Sequence, residues 1–125
     1  MSKVILSISA IYGFLSVSAG AFGGHALKDQ LTPKLLDVFE VAVRYAFYHT
    51  IVLLIIGFAL TQFNSRCLRV SAGLFAIGIF VFSGSLLCLV FTEIKTFGAV
   101  TPIGGLLFLA GWTSLLLSAI KGELK

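Results

Sequence analysis

Four stretches of this 125-residue chain hold no Asp, Glu, Lys or Arg: residues 4–27, 45–65, 70–92 and 96–120, which are 24, 21, 23 and 25 residues long. Every charged side chain falls between or beyond them. A helix needs roughly 20 apolar residues to cross a ~30 Å hydrocarbon core. In lipid the backbone must satisfy its own hydrogen bonds, which leaves helices or closed barrels. Barrel strands alternate apolar and polar residues with period two, and these runs do not. The chain therefore reads as all-α: a polytopic membrane protein with four transmembrane helices in an antiparallel bundle. The spans are placed at about 4–27, 45–63, 70–92 and 102–120, forming a single domain over residues 1–125.

Composition excludes a soluble domain. The four runs take up 93 residues, hydrophobic residues make up 58% and charged residues only 11%, against about a quarter in soluble domains. Lys3 and the apolar run ending in Val17-Ser18-Ala19-Gly20-Ala21 also fit a secretory signal. The run continues past that cleavage site through Phe22, so it is kept as a span. Cys67 and Cys88 are 21 positions apart, about 31 Å along one helix, which rules out a bridge between them.

Charge placement sets the orientation. The side shared by the N-terminus, second link and C-terminus carries Lys3, Arg66, Arg69, Lys121 and Lys125 against Glu123. Lys28, Lys34, Arg44 and Lys95 on the other side face Asp29, Asp37, Glu40 and Glu93. The count of basic residues favours both termini in the cytoplasm. The net charge of +4 is thus an orientation signal rather than a nucleic-acid patch.

Small residues mark packing faces. Ser9, Gly13, Ser16, Gly20 and Gly24 recur at 4, 3, 4 and 4 in the first span, where small side chains let another backbone approach. Gly104 and Gly105, with Ala110, Ser114 and Ser118, form a second set in the last span. Thr32-Pro33 and Thr101-Pro102 read as caps followed by proline at the first helical position, so the last span is expected to begin at Pro102. From Lys34 through Asp37, Glu40 and Arg44 runs one polar stripe on an otherwise apolar helix. That makes 33–44 an amphipathic, interfacial extension before the second span.

Ionisable groups inside a membrane are functional suspects. The candidate polar cluster gathers at the outer side: His25, Glu40, Arg44, Tyr45, Tyr48 and His49. Arg44, Tyr45 and Tyr48 at a span entrance also fit an interfacial anchor, and His49 needs a hydrogen-bond partner at its depth. Two histidines on separate helices are a minimal haem set, but they are the only two in the chain. No nucleophile elbow, phosphate loop or HExxH is present. No metal site and no cofactor are expected.

Three motifs carry a resemblance: Gly20-Ala21-Phe22-Gly23-Gly24-His25-Ala26-Leu27-Lys28, Arg44-Tyr45-Ala46-Phe47-Tyr48-His49, and Thr101-Pro102-Ile103-Gly104-Gly105 continuing to Trp112. In this order they resemble the domain-of-unknown-function family 423, the YgdD-like small membrane proteins, over essentially the whole chain. Gly24 and Ala26 stand where Ala and Gly are common in that family. The resemblance implies a bacterial inner-membrane protein with four spans, related to a small mitochondrial-type protein of eukaryotes, and implies no established activity. The expected role is a non-enzymatic accessory, assembly or interaction protein. It would sit in the lipid bilayer and pack against itself as a homo-oligomer or against a larger membrane complex. The alternative is a binding or transport module for a lipid, quinone or small anion, using His25, Arg44, Tyr48 and His49. An intramembrane enzyme is the third and most distant reading.

Overall fold

The computed structural model describes residues 1–122 and Leu124; the Glu123 and Lys125 charges counted above lie outside the described residues. Four long helices follow one another: α1 Ser2–Phe22, α2 Pro33–Gln62, α3 Arg66–Thr92 and α4 Thr96–Ile120. Each is long and apolar enough to cross a membrane. Links of three to five residues join α1's end to α2, α2 to α3 and α3 to α4, so successive helices are antiparallel neighbours.

Local chemistry sets the ends. The Thr32 side chain accepts from the Leu35 N–H at 3.3 Å, with Pro33 in the first turn. Ser65 does the same for Leu68 at 3.0 Å. Glu93 ends α3 in the left-handed region (φ 56°), where its N–H reaches the Leu89 carbonyl. The start of α4 corrects the sequence expectation. The helix begins at Thr96, with Pro102 inside it. Backbone released from a helix in lipid has no water to bond, so the helix extends to the polar Lys95. Thr101 caps nothing; its hydroxyl meets Ser85 Oγ at 2.7 Å and the Phe97 carbonyl at 3.3 Å.

α2 and α3 form the centre, and α1 and α4 flank them. Phe39, Val43, Thr50 and Gly57 on α2 face α1, while Tyr45 and His49, on another side of the same helix, face α3 and α4. The stretch 33–44 continues into the rest of α2 without a break, and its apolar side (Phe39 and Ala42) is buried between neighbours. One core joins Ile5, Leu53, Ile56, Leu68, Phe75, Ile79 and Phe108; a smaller one joins Leu27, Phe39 and Val90 at the end of the bundle where α2 begins.

The small-residue seams differ from the expected ones: Gly20 and Gly24 are exposed at the end of the first, and in the second Ala110 is exposed and Gly105 half-buried. On α1 the buried positions are Ile5, Ser9, Ser16, Gly23 and Leu27, a heptad-like seam. Gly24 is exposed, and a Cβ there would meet nothing within 4 Å, whereas one on Gly23 would fall on the Phe39 ring. The steps 16→20→24 are two successive fours, which rotate the position about 80° off the seam. Gly23 opens a π-helical turn, Gly23–Leu27, that ends the helix. On α4, Ala110 is exposed and Gly111 takes the inward place, with Gly104, Phe108, Ser114 and Ser118. Adjacent helical positions differ by about 100°, so Ala110 cannot share the Gly104–Phe108 face.

Candidate functional site

Register between helices fixes the depth of each polar group. Ser83 Oγ donates to the Ala42 carbonyl at 2.7 Å, Gly23 lies against Phe39, Gly57 against Leu6, and Gly104 against the Phe82 backbone. Extending these pairings by helical rise brings Lys3, Arg66 and Lys121 to one level, beside Ala59 of α2. His49 lies about 15 Å above that basic ring, near mid-membrane. His25 pairs in level with Asp37, so it stands about 18 Å above His49.

The expected cluster therefore separates into three places. His25 is exposed on the π-helical turn and touches neither Arg44 nor His49; it makes no hydrogen bond or ring contact to any described residue. Arg44 and Glu40 lie on an exposed face of α2, with one guanidinium-to-carboxylate contact of 3.8 Å. Tyr48 is 56% exposed, and among the described residues its one ring contact is with Tyr45, at 6.2 Å. His49 turns inward and is 7% exposed. The two histidines are too far apart to share an iron or any other ion.

His49 is the best-defined polar group in the membrane interior. Its Nδ1–H donates to the Tyr45 carbonyl at 2.8 Å, because a carbonyl can only accept. Nε2 then keeps its lone pair and accepts from the Trp112 indole N–H at 3.4 Å. That is a neutral imidazole with both nitrogens engaged, which lowers the cost of placing it in lipid. Its ring stacks on Phe108, with centroids 3.6 Å apart and planes 3° from parallel. Phe75 approaches from α3, and Tyr45 stacks on Phe82 at 5.0 Å.

Above this imidazole opens a groove of about 580 Å³ between α2 and α4, floored by Phe82 of α3. Tyr45, His49, Phe108 and Trp112 form its walls, and Pro102 and Gly105 its end nearer the start of α4. It opens sideways: Leu106 and Leu109 on its rim are about two-thirds exposed. Gly105 gives it width, since a Cβ there would still be 3.9 Å from Phe82. The sequence reading named Tyr45, His49 and Gly105 but missed Phe75, Phe82, Phe108 and Trp112. One signal was available: a mid-depth imidazole needs a donor or acceptor, and Trp112 is the chain's only indole.

A second groove, about 210 Å³, runs between α1 and α3 over Ala42 and Ala46 of α2. Tyr12 closes its lower end by donating to the Ala76 carbonyl at 3.0 Å. A notch of about 330 Å³ lies between Gly20 of α1, Gly23 and Gly24 of the π-helical turn after it, and Glu40, Val43 and Arg44 of α2. Among the described residues no group of three or more His, Cys, Asp or Glu is placed to hold a metal ion. Cys67 and Cys88 lie at opposite ends of α3, so they cannot reach one another.

Comparison with known proteins gives a consistent family. The family described as "Protein of unknown function (DUF423)" matches residues 19–105. A UPF0382 membrane protein of Staphylococcus haemolyticus is 42% identical over 119 residues, covering 95% of this chain and 97% of its own. The UPF0382 membrane protein YwdK of Bacillus subtilis is 37% identical over 120 residues, covering 95% and 98%. The UPF0382 inner membrane protein YgdD of Escherichia coli is 35% identical over 120 residues, covering 96% and 92%. No solved structure matches the chain.

Proposed function

Because the chain belongs to the DUF423 family of membrane proteins, whose description leaves the role open, we propose one from geometry. The protein is a non-enzymatic accessory component of the inner membrane, with both termini cytoplasmic, that holds an apolar membrane constituent in the α2–α4 groove. The observation that carries this is the groove itself: rings from three helices, a neutral imidazole at its base and a lateral opening to lipid. Ligand sites of this kind are concave, mostly apolar and marked by a few placed polar groups.

Two further facts support it. The inward glycines are used within the chain, Gly104 against Phe82, Gly111 against Phe75 and Gly23 against Phe39, so these positions serve the fold itself. Both nitrogens of His49 are engaged by the protein, which fits a wall residue better than a proton-transfer group. The inner-membrane placement follows the name of the Escherichia coli relative, and the orientation follows the Lys/Arg count.

The test is to fill the groove. Gly105→Leu has room for its Cβ and should leave the fold intact. Native mass spectrometry of the protein released from lipid nanodiscs should show an apolar molecule bound to the wild type and absent from the variant. Equal retention by both proteins would overturn the reading. Loss of a co-purifying polypeptide instead would replace the small ligand with a side chain of a larger complex.

A further inference from the structure

Arg44 poses a problem that the groove beside His49 does not solve. Counting ~30 Å of hydrocarbon upward from the basic ring at Lys3, Arg66 and Lys121 puts Arg44 about 7 Å below the outer boundary, with Glu40 at the boundary itself. The other three helices carry no charged residue at that level. Half of the Arg44 side chain is exposed, and its contact with Glu40, at 3.8 Å, is longer than a hydrogen bond. A guanidinium has five donors, and a charge left bare at this depth is costly.

Geometry offers a way to satisfy it. Side chains on a helix lean toward its N-terminus, which for α2 is the outer end, so Arg44 and Glu40 both reach up toward the headgroups. Beside them α1 and its π-helical turn present Gly20, Gly23 and Gly24, and the missing side chains leave the notch of about 330 Å³. The positive group lies deeper and the negative group one turn, about 6 Å, farther out. A phospholipid with a terminal amine has the complementary order along the membrane normal: phosphate next to the chains, ammonium outside it.

We propose that the α1–α2 notch binds the headgroup of a zwitterionic aminophospholipid, with Arg44 on the phosphate and Glu40 on the primary ammonium. Arg44 suits the phosphate because its planar fork makes charge-assisted pairs. Glu40 supplies selectivity. A quaternary amine has no N–H to donate to it, and an anionic glycerol headgroup brings no positive charge. The order of charges matches this lipid in either leaflet, so the site does not depend on which way the protein is inserted.

The experiment uses the full chain in nanodiscs containing equal parts of phosphatidylethanolamine, phosphatidylcholine and phosphatidylglycerol, with retained lipid read by native mass spectrometry. The wild type should retain phosphatidylethanolamine over both others. Arg44→Gln should lower retention of all three about tenfold. Glu40→Gln should keep binding and erase the preference for the primary amine. Arg44→Lys keeps the charge without the fork and should fall between wild type and Arg44→Gln. Retention blind to headgroup, a preference for phosphatidylglycerol, or an unchanged Arg44→Gln would each overturn the proposal. So would displacement of the lipid by soluble O-phosphoethanolamine, which would make the site one for a free phosphate ester.

Discussion

The two flanks of the α2–α3 pair are built to different tolerances. On the α4 side an added Cβ at Gly104 would lie 2.6 Å from the Phe82 Cα, and one at Gly111 2.9 Å from the Phe75 ring. Hydrogen bonds cross the same seam: Ser71 Oγ donates to the Gly111 carbonyl and Ser114 Oγ to the Cys67 carbonyl, at 2.8 and 2.9 Å. On the α1 side the middle of the seam is slack. Added Cβ atoms at Gly13 and Gly20 would find only ordinary contacts of 3.7 and 3.6 Å. Beside Gly13 the buried Thr50 hydroxyl has no partner among the described residues. Backbone contact and interhelical bonds are what hold helices together where lipid removes the hydrophobic drive. α4 is thus fastened firmly to the centre, and α1 leaves room along it for the notch near Arg44.

The largest expected effect tests the tight flank. Gly104→Ala should cost about 2–3 kcal/mol, since its methyl meets backbone that cannot swing aside. Gly13→Ala, whose methyl would find only an ordinary 3.7 Å contact with Thr50, should stay within about 0.5 kcal/mol of wild type. Thermal unfolding in mild detergent measures both, and equal losses would erase the contrast. Next is the His49–Trp112 pair. A double-mutant cycle of His49→Leu and Trp112→Phe should give a coupling of about 0.6–1.7 kcal/mol; a value near zero would mean that the imidazole is held by Tyr45 and Phe108 alone.

Thr50→Val changes the sign. Replacing a buried, unpartnered hydroxyl with a methyl should stabilise the protein by about 1 kcal/mol. Among the changes expected to destabilise, the smallest is Ser114→Ala, which removes one satisfied interhelical bond and should cost about 0.6 kcal/mol. If Thr50→Val destabilised instead, the α1 seam would be better satisfied than its geometry implies.

Much of the architecture was legible because charge exclusion is a one-dimensional signal. Runs free of Asp, Glu, Lys and Arg gave four spans, and Thr32-Pro33 gave the start of α2. The same logic misplaced the start of α4, since Thr101-Pro102 has the pattern of a cap but lies inside a helix held by membrane burial. The candidate site was legible only in part. His49 was correctly singled out as a group needing a partner, but it was grouped with His25, which lies about 18 Å higher. Which of two neighbouring small residues faces inward also escaped, as Gly23 and Gly111 show against Gly24 and Ala110.

Those outcomes divide along a physical line. Sequence by itself determined which segments lie in lipid, because a charge is costly anywhere within the hydrocarbon core. Tertiary structure alone decided direction around each helix axis. A step of one residue turns a side chain by about 100°, and only contacts such as Ser83 on the Ala42 carbonyl and His49 on Phe108 set the helices' relative rotation and height. That rotation puts His49 against α4 and leaves Arg44 facing the lipid.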